Sequence, residues 1–194
     1  MSGPRFLAVT SAALTLMCAA LLALRGTDAA AWALVVRATA RTSLLLFTTA
    51  YVASSLRILW RTELSRWLLA NRRYVGLSYA VSHTLHLGAI VELARASPDF
   101  ELSVGALVIG GLAYVFLYLM ALTSNDRAVS MLGLANWRRL HRAGMHYNWF
   151  IFFQSFMRRA LVDPFYIPFA SIVVGAAALR FAVWLRARRR RAVS

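Results

Sequence analysis

The chain has 194 residues, 60% of them hydrophobic and 15% charged, with a mean hydropathy of +0.61 and a formal net charge of +15. Soluble domains hold roughly 45–50% apolar residues, so this composition excludes an ordinary water-soluble globule. All 22 basic residues are arginines lying between apolar runs, which excludes a nucleic-acid surface and reads as membrane topology and lipid headgroup contact.

A bilayer core takes about 20 apolar residues as a helix. Runs of that order recur six times, near residues 6–24, 30–56, 74–94, 101–122, 139–157 and 166–185. They are continuous and lack period-two alternation, which excludes a membrane β-barrel. The expected fold is therefore all-α, an integral membrane bundle of six transmembrane helices forming one domain over 1–194, with no soluble domain.

The first run, "FLAVTSAALTLMCAALLAL" after Arg5, has two readings. It is a retained anchor, or a secretory signal with "DAAAWA" as its cleavage region. Its 19 residues exceed a signal's apolar core of about 7–15, which favours the anchor. Cys18 in this run is the only cysteine, so no disulfide forms within the chain.

Arginine placement sets the expected orientation, because short loops rich in arginine stay cytoplasmic. Arg5, the five arginines from Arg57 to Arg73, the cluster Arg127, Arg138, Arg139 and Arg142, and the tail Arg186 to Arg191 fall on one side. The other side holds Arg25, Arg37, Arg41, Arg95, Arg158 and Arg159 with Asp28, Asp99, Glu101 and Asp163. Both termini are then cytoplasmic.

The third run contains "SHTLHLG", with His83 and His86, and the fifth contains His141 and His146. Ionisable groups inside a bilayer are costly and usually face a partner within the bundle. His83 and His86, three residues apart, share a helix face. His141 and His146 lie about 140° apart, so at most one of them faces the third helix directly. A neutral imidazole is a good iron ligand, and two from facing helices hold a haem edge-on. The alternative is plain interhelical hydrogen bonding.

Other chemistry is thin. The acids lie in or beside connections, apart from Glu92 near the outer end of the third run, so no intramembrane carboxylate pair exists for a proton relay. "VGALVIGGLAYV" in the fourth run reads as close helix packing, since no phosphate-loop pattern accompanies its glycines. "YNWFIFFQSF" in the fifth reads as lipid- and helix-facing surface that would also line a haem pocket.

"RRYVGLSYAVSHTLHLG" (Arg72–Gly88), followed by "ALTSNDRAVSMLGLANWRRLHRAG" (Ala121–Gly144), resembles the bacterial branch of the ferric reductase-like transmembrane family. The resemblance implies a b-type haem protein, with one or two haems, that passes electrons across the bacterial inner membrane. It implies an electron-transfer subunit of an oxidoreductase system rather than a complete enzyme. With no flavin or nicotinamide site in the chain, the expected donor is a cytoplasmic flavoprotein or quinone, and the expected acceptor a periplasmic redox protein or ferric iron. By similarity, His86 takes the family's ligand position on the third helix and His141 the histidine heading the fifth. The family's further ligand histidine, thirteen residues on, is Gln154 here, while His83 and His146 are additional.

Depth sorts the candidates differently. With Arg73 and Arg138 at a common inner boundary, the 1.5 Å rise puts His83 about 15 Å deep and His86 about 20 Å deep. On the same rise His141 lies at about 5 Å, His146 at about 12 Å and Gln154 at about 24 Å. Depth thus pairs His83 with His146, whereas family position favours His86. A competing reading is a scaffold or transporter that keeps the fold without haem.

Overall fold

The computed structural model describes residues 2–97 and 99–193. Every regular element among them is helical: α1 (Gly3–Arg25), α2 (Ala29–Leu59), α3 (Glu63–Ala70), α4 (Arg72–Ala96), α5 (Val104–Leu122), α6 (Asp126–Leu132), α7 (Leu134–Ala160) and α8 (Ile167–Val193). A 3-10 turn, Pro164–Tyr166, precedes α8. Four segments, Gly3–Arg25, Ala29–Leu59, Val104–Leu122 and Pro164–Arg190, are long and apolar enough to cross a membrane. The histidine-bearing helices α4 and α7 have 25 and 27 residues, ample length for a span, but a more polar composition.

Each of the six long helices corresponds to one apolar run, with α5 starting at Val104 rather than at 101, and local chemistry explains the ends. Asp28 Oδ1 accepts from Ala31 N at 2.8 Å and starts α2, and Ser103 does the same for α5 through Ala106 N at 3.2 Å. α7 begins at Leu134, one turn ahead of its apolar run, because Gly133 takes a positive φ of 73° that ends α6 and turns the chain. The short helices α3 and α6 lie in connections that sequence reading leaves unstructured. α3 is closed by a reciprocal cap between Thr62 and Ser65, and Asn125 caps α6 through Ala128 N at 2.8 Å.

α2 and α4 form the most intimate helix pair. Small residues make that approach possible, since Ser43, Ala50, Ala53, Ser78, Ser82 and Ala89 are all buried. Their hydroxyls find partners in the seam: Ser82 Oγ lies 3.0 Å from Thr42 Oγ1 and 2.9 Å from Ser43 Oγ. Two arginines then clamp α2 near the N-terminal end of α4. Arg72 Nε donates to the Ala50 carbonyl at 3.0 Å, and Arg180 Nη1 to the Tyr51 carbonyl at 2.7 Å. α1 leans on α4 and α2, with Gly3 so close to Tyr74 and Asn71 that a Cβ would collide with the Tyr74 ring.

α7 packs on α5 and α8, and its backbone does not pack closely on α4. Side chains bridge that gap instead. Phe47, Tyr79, Phe152 and Phe156 form a buried cluster with Leu44, Leu117 and Val173. One polar link crosses it, Tyr79 OH donating to Asn148 Oδ1 at 2.7 Å. α5 turns the apolar face bearing Val104, Val108, Val115 and Leu122 outward, as a lipid-facing helix does.

Candidate functional site

His83 and His86 lie on one face of α4 with ring centroids 5.2 Å apart. His83 is buried among aromatic rings, 5.4 Å from Tyr79, 4.8 Å from Tyr114 and 5.7 Å from Phe152. Its Nδ1 is buried with no hydrogen-bond partner among the described residues.

His86 turns toward α2. Its Nδ1 sits 3.0 Å from Thr39 Oγ1 and 3.1 Å from the Val36 carbonyl. The Thr39 hydroxyl spends its own hydrogen on the Val35 carbonyl at 2.7 Å, so both atoms facing Nδ1 are acceptors. Nδ1 therefore carries the hydrogen and Nε2 keeps a lone pair. That arrangement, one ring nitrogen tied to a carbonyl and the other free to bind, is how metal-ligating histidines are oriented.

The α7 histidines occupy different surroundings. The His141 ring lies tilted against Trp137 with centroids 4.2 Å apart, and its Nε2 lies 3.1 Å from Thr123 Oγ1. Thr123 gives its hydroxyl hydrogen to the Leu119 carbonyl at 2.6 Å, so His141 donates through Nε2 and keeps its lone pair on Nδ1. His146 Nδ1 meets Tyr51 OH at 3.1 Å, and Arg180 lies over the Tyr51 ring at 4.3 Å. Gln154 is half-buried and makes no hydrogen bond among the described residues.

The register differs from the one set by placing Arg73 and Arg138 at a common boundary. Tyr79 reaches Asn148 and His83 reaches Phe152, so α4 meets α7 about one helical turn further along. His83 and His146 consequently do not face each other: His146 belongs to the α2 and α8 side of α7. His86 is level with the stretch of α7 around Gln154.

Toward the N-terminal ends of α4 and α7, a cavity of about 630 Å³ opens between α4, α5, α6 and α7. His141 and Tyr79 line it together with the apolar residues Ala80, Leu117, Met120 and Met145. Arg72, Arg73, Arg138, Arg142 and Arg180 also line it, against the single acid Asp126.

Do these residues fit a haem? Among the described residues the histidines do not gather into a group of three or more metal-binding side chains. A haem does not require one, because the porphyrin supplies the equatorial nitrogens and the protein needs only axial donors. The Nε2 of His86, the unpartnered Nδ1 of His83 and the rings of Tyr79, Tyr114 and Phe152 are donors and walls that a haem would use, whereas the arginine-rich cavity holds His141 and neither α4 histidine. Tyr79, Asn148, Tyr51 and Thr39 were not singled out by sequence reading. Asn148 alone had a visible signal, as an amide within an aromatic run. No family model, curated protein or solved structure matches this chain.

Proposed function

We propose that this chain is a haem b-binding electron-transfer subunit of the ferric reductase-like type, with motifs that resemble those of the haem-binding membrane subunit of the periplasmic methionine sulfoxide reductase system. The observation that carries the reading is His86, half-buried between α4 and α2 with Nδ1 held by Val36 and Thr39 and a lone pair on Nε2. A bound haem supplies one-electron iron chemistry at membrane depth. The chain's own residues orient and shield it. His86 is the ligand from α4, His83 lies beside it, and His141, His146 and Gln154 are the candidates on α7. The rings of Tyr79, Tyr114 and Phe152 exclude water beside the α4 histidines.

On this reading α4 and α7 complete a six-span bundle with both termini in the cytoplasm of a bacterial inner membrane. The inner arginine surface meets a flavoprotein or quinone donor, and a periplasmic redox partner accepts the electron. A second reading, a scaffold or transporter without haem, draws on Gln154 in a ligand position and on the Phe152 ring filling the space beside His83.

The test is spectroscopic. The full chain, expressed with ample haem supply and purified in detergent, should show a reduced-minus-oxidised b-type spectrum, with haem extractable by acid acetone. His86→Ala should lose haem, as should one of His141→Ala and His146→Ala. A haem-free wild type would overturn the reading in favour of the second, and full haem retention in single alanine variants of all four histidines would refute ligation by them and leave them as interhelical hydrogen-bonding residues.

A further inference from the structure

At the end of the bundle away from the arginine-rich cavity, three side chains from different elements converge. Arg41 of α2 donates through Nη2 to Tyr166 OH at 3.2 Å, and Arg159 of the last turn of α7 donates through Nη1 to the same oxygen at 3.4 Å. Arg41 also lies over the rings of Phe165, Tyr166 and Phe169, at 4.7, 5.4 and 5.7 Å. Arg159 lies 5.4 Å from the Tyr166 ring.

This cluster contains two cations and no anion. The ion pairs among the described residues are Arg66–Glu63, Arg73–Asp126 and Arg95–Glu92, none of which involves Arg41 or Arg159. Asp163 is the acid closest in sequence to Arg159 and Tyr166, and it caps the 3-10 turn through Phe165 N at 2.9 Å. The donors are not spent. Arg41 Nε is buried with no partner. Tyr166 accepts two guanidinium hydrogen bonds, which leaves its own hydroxyl hydrogen available, and each guanidinium has five N–H donors in all. A site made only of donors and positive charge is complementary to an oxyanion, and Arg forks match phosphate in particular.

The surroundings indicate where that phosphate comes from. Beside the cluster, the turn between α7 and α8 exposes Leu161 at 82%, Val162 at 87% and Phe165 at 56%. Apolar side chains so exposed next to two guanidiniums suit an amphiphile, with acyl chains against the turn and a charged head on the arginines. We infer that Arg41, Arg159 and Tyr166 form a binding site for the phosphate of an anionic phospholipid headgroup. The inference rests on the chain lying in a membrane and not on its binding haem.

The full chain in dodecyl maltoside would be titrated with dioleoylphosphatidylglycerol, dioleoylphosphatidylcholine or inorganic phosphate, and bound lipid counted by native mass spectrometry. Phosphatidylglycerol should bind more tightly than phosphatidylcholine. Arg159→Gln and Arg41→Gln should each weaken it about tenfold, the loss expected for one charge-assisted hydrogen bond. Arg37→Gln, on the same helix outside the cluster, should leave it unchanged. Arg159 is exposed, so its variant reports on binding even where Arg41→Gln disturbs packing. Unchanged phosphatidylglycerol affinity in Arg159→Gln, or equal affinity for the two lipids, would overturn the site. Occupation by inorganic phosphate at the expense of lipid would overturn the lipid as its source.

Discussion

Replacing Tyr79 by Phe would remove the one hydroxyl that, among the described residues, links the two histidine-bearing helices. Its partner, Asn148, is 1% exposed, and the Asn148 amide is already committed to the Gly144 carbonyl at 2.9 Å. Deleting the hydroxyl therefore leaves Oδ1 of Asn148 buried with no donor. A stranded buried acceptor costs about 1–3 kcal/mol in water-soluble proteins, while hydrogen bonds between membrane helices average about 0.6 kcal/mol and reach about 1.7. For a site this buried the expected loss is about 1 kcal/mol, or a fall in Tm of about 2–4 °C at this chain length. Asn148→Leu should cost a similar amount by stranding the Tyr79 hydroxyl. The double variant removes both polar groups at once, so it should be more stable than the sum of the single losses by at least 0.5 kcal/mol, on the order of the coupling seen for contacting pairs. Thermal unfolding in one detergent, followed by circular dichroism, measures all four proteins. Additive losses would refute the link, and with it the register of α4 on α7 that separates His83 from His146.

Two further outcomes follow from the same packing. Ser82 is fully buried between Thr42 and Ser43, so Ser82→Leu should push α2 and α4 apart and cost about 1–3 kcal/mol, whereas Ser82→Ala should cost less; thermal unfolding distinguishes them. Reporter fusions after Arg95 and at the carboxyl terminus should report opposite sides of the membrane, because three spans separate them in a six-span bundle. Reports from the same side would rule out that topology.

The helices were legible in the sequence because a chain in lipid must satisfy its backbone hydrogen bonds locally, so an apolar run of sufficient length is a helix whatever surrounds it. Ends were less legible. α7 starts at Leu134 and α8 runs to Val193, beyond the apolar runs, since arginine is a good helix former and the chain stops only where a cap or a glycine such as Gly133 intervenes. The shared face of His83 and His86 also followed from spacing alone. Their opposed environments did not: His83 packs on Tyr114 and Phe152, while His86 bonds across 47 residues to Thr39. Nor did the convergence of Arg41 and Arg159 on Tyr166, which brings together residues 125 positions apart. A helix apolar on nearly every side carries no periodic signal of which face meets which neighbour. Register, facing and the grouping of distant arginines were decided only when small residues drew α2 onto α4 and large rings held α4 away from α7.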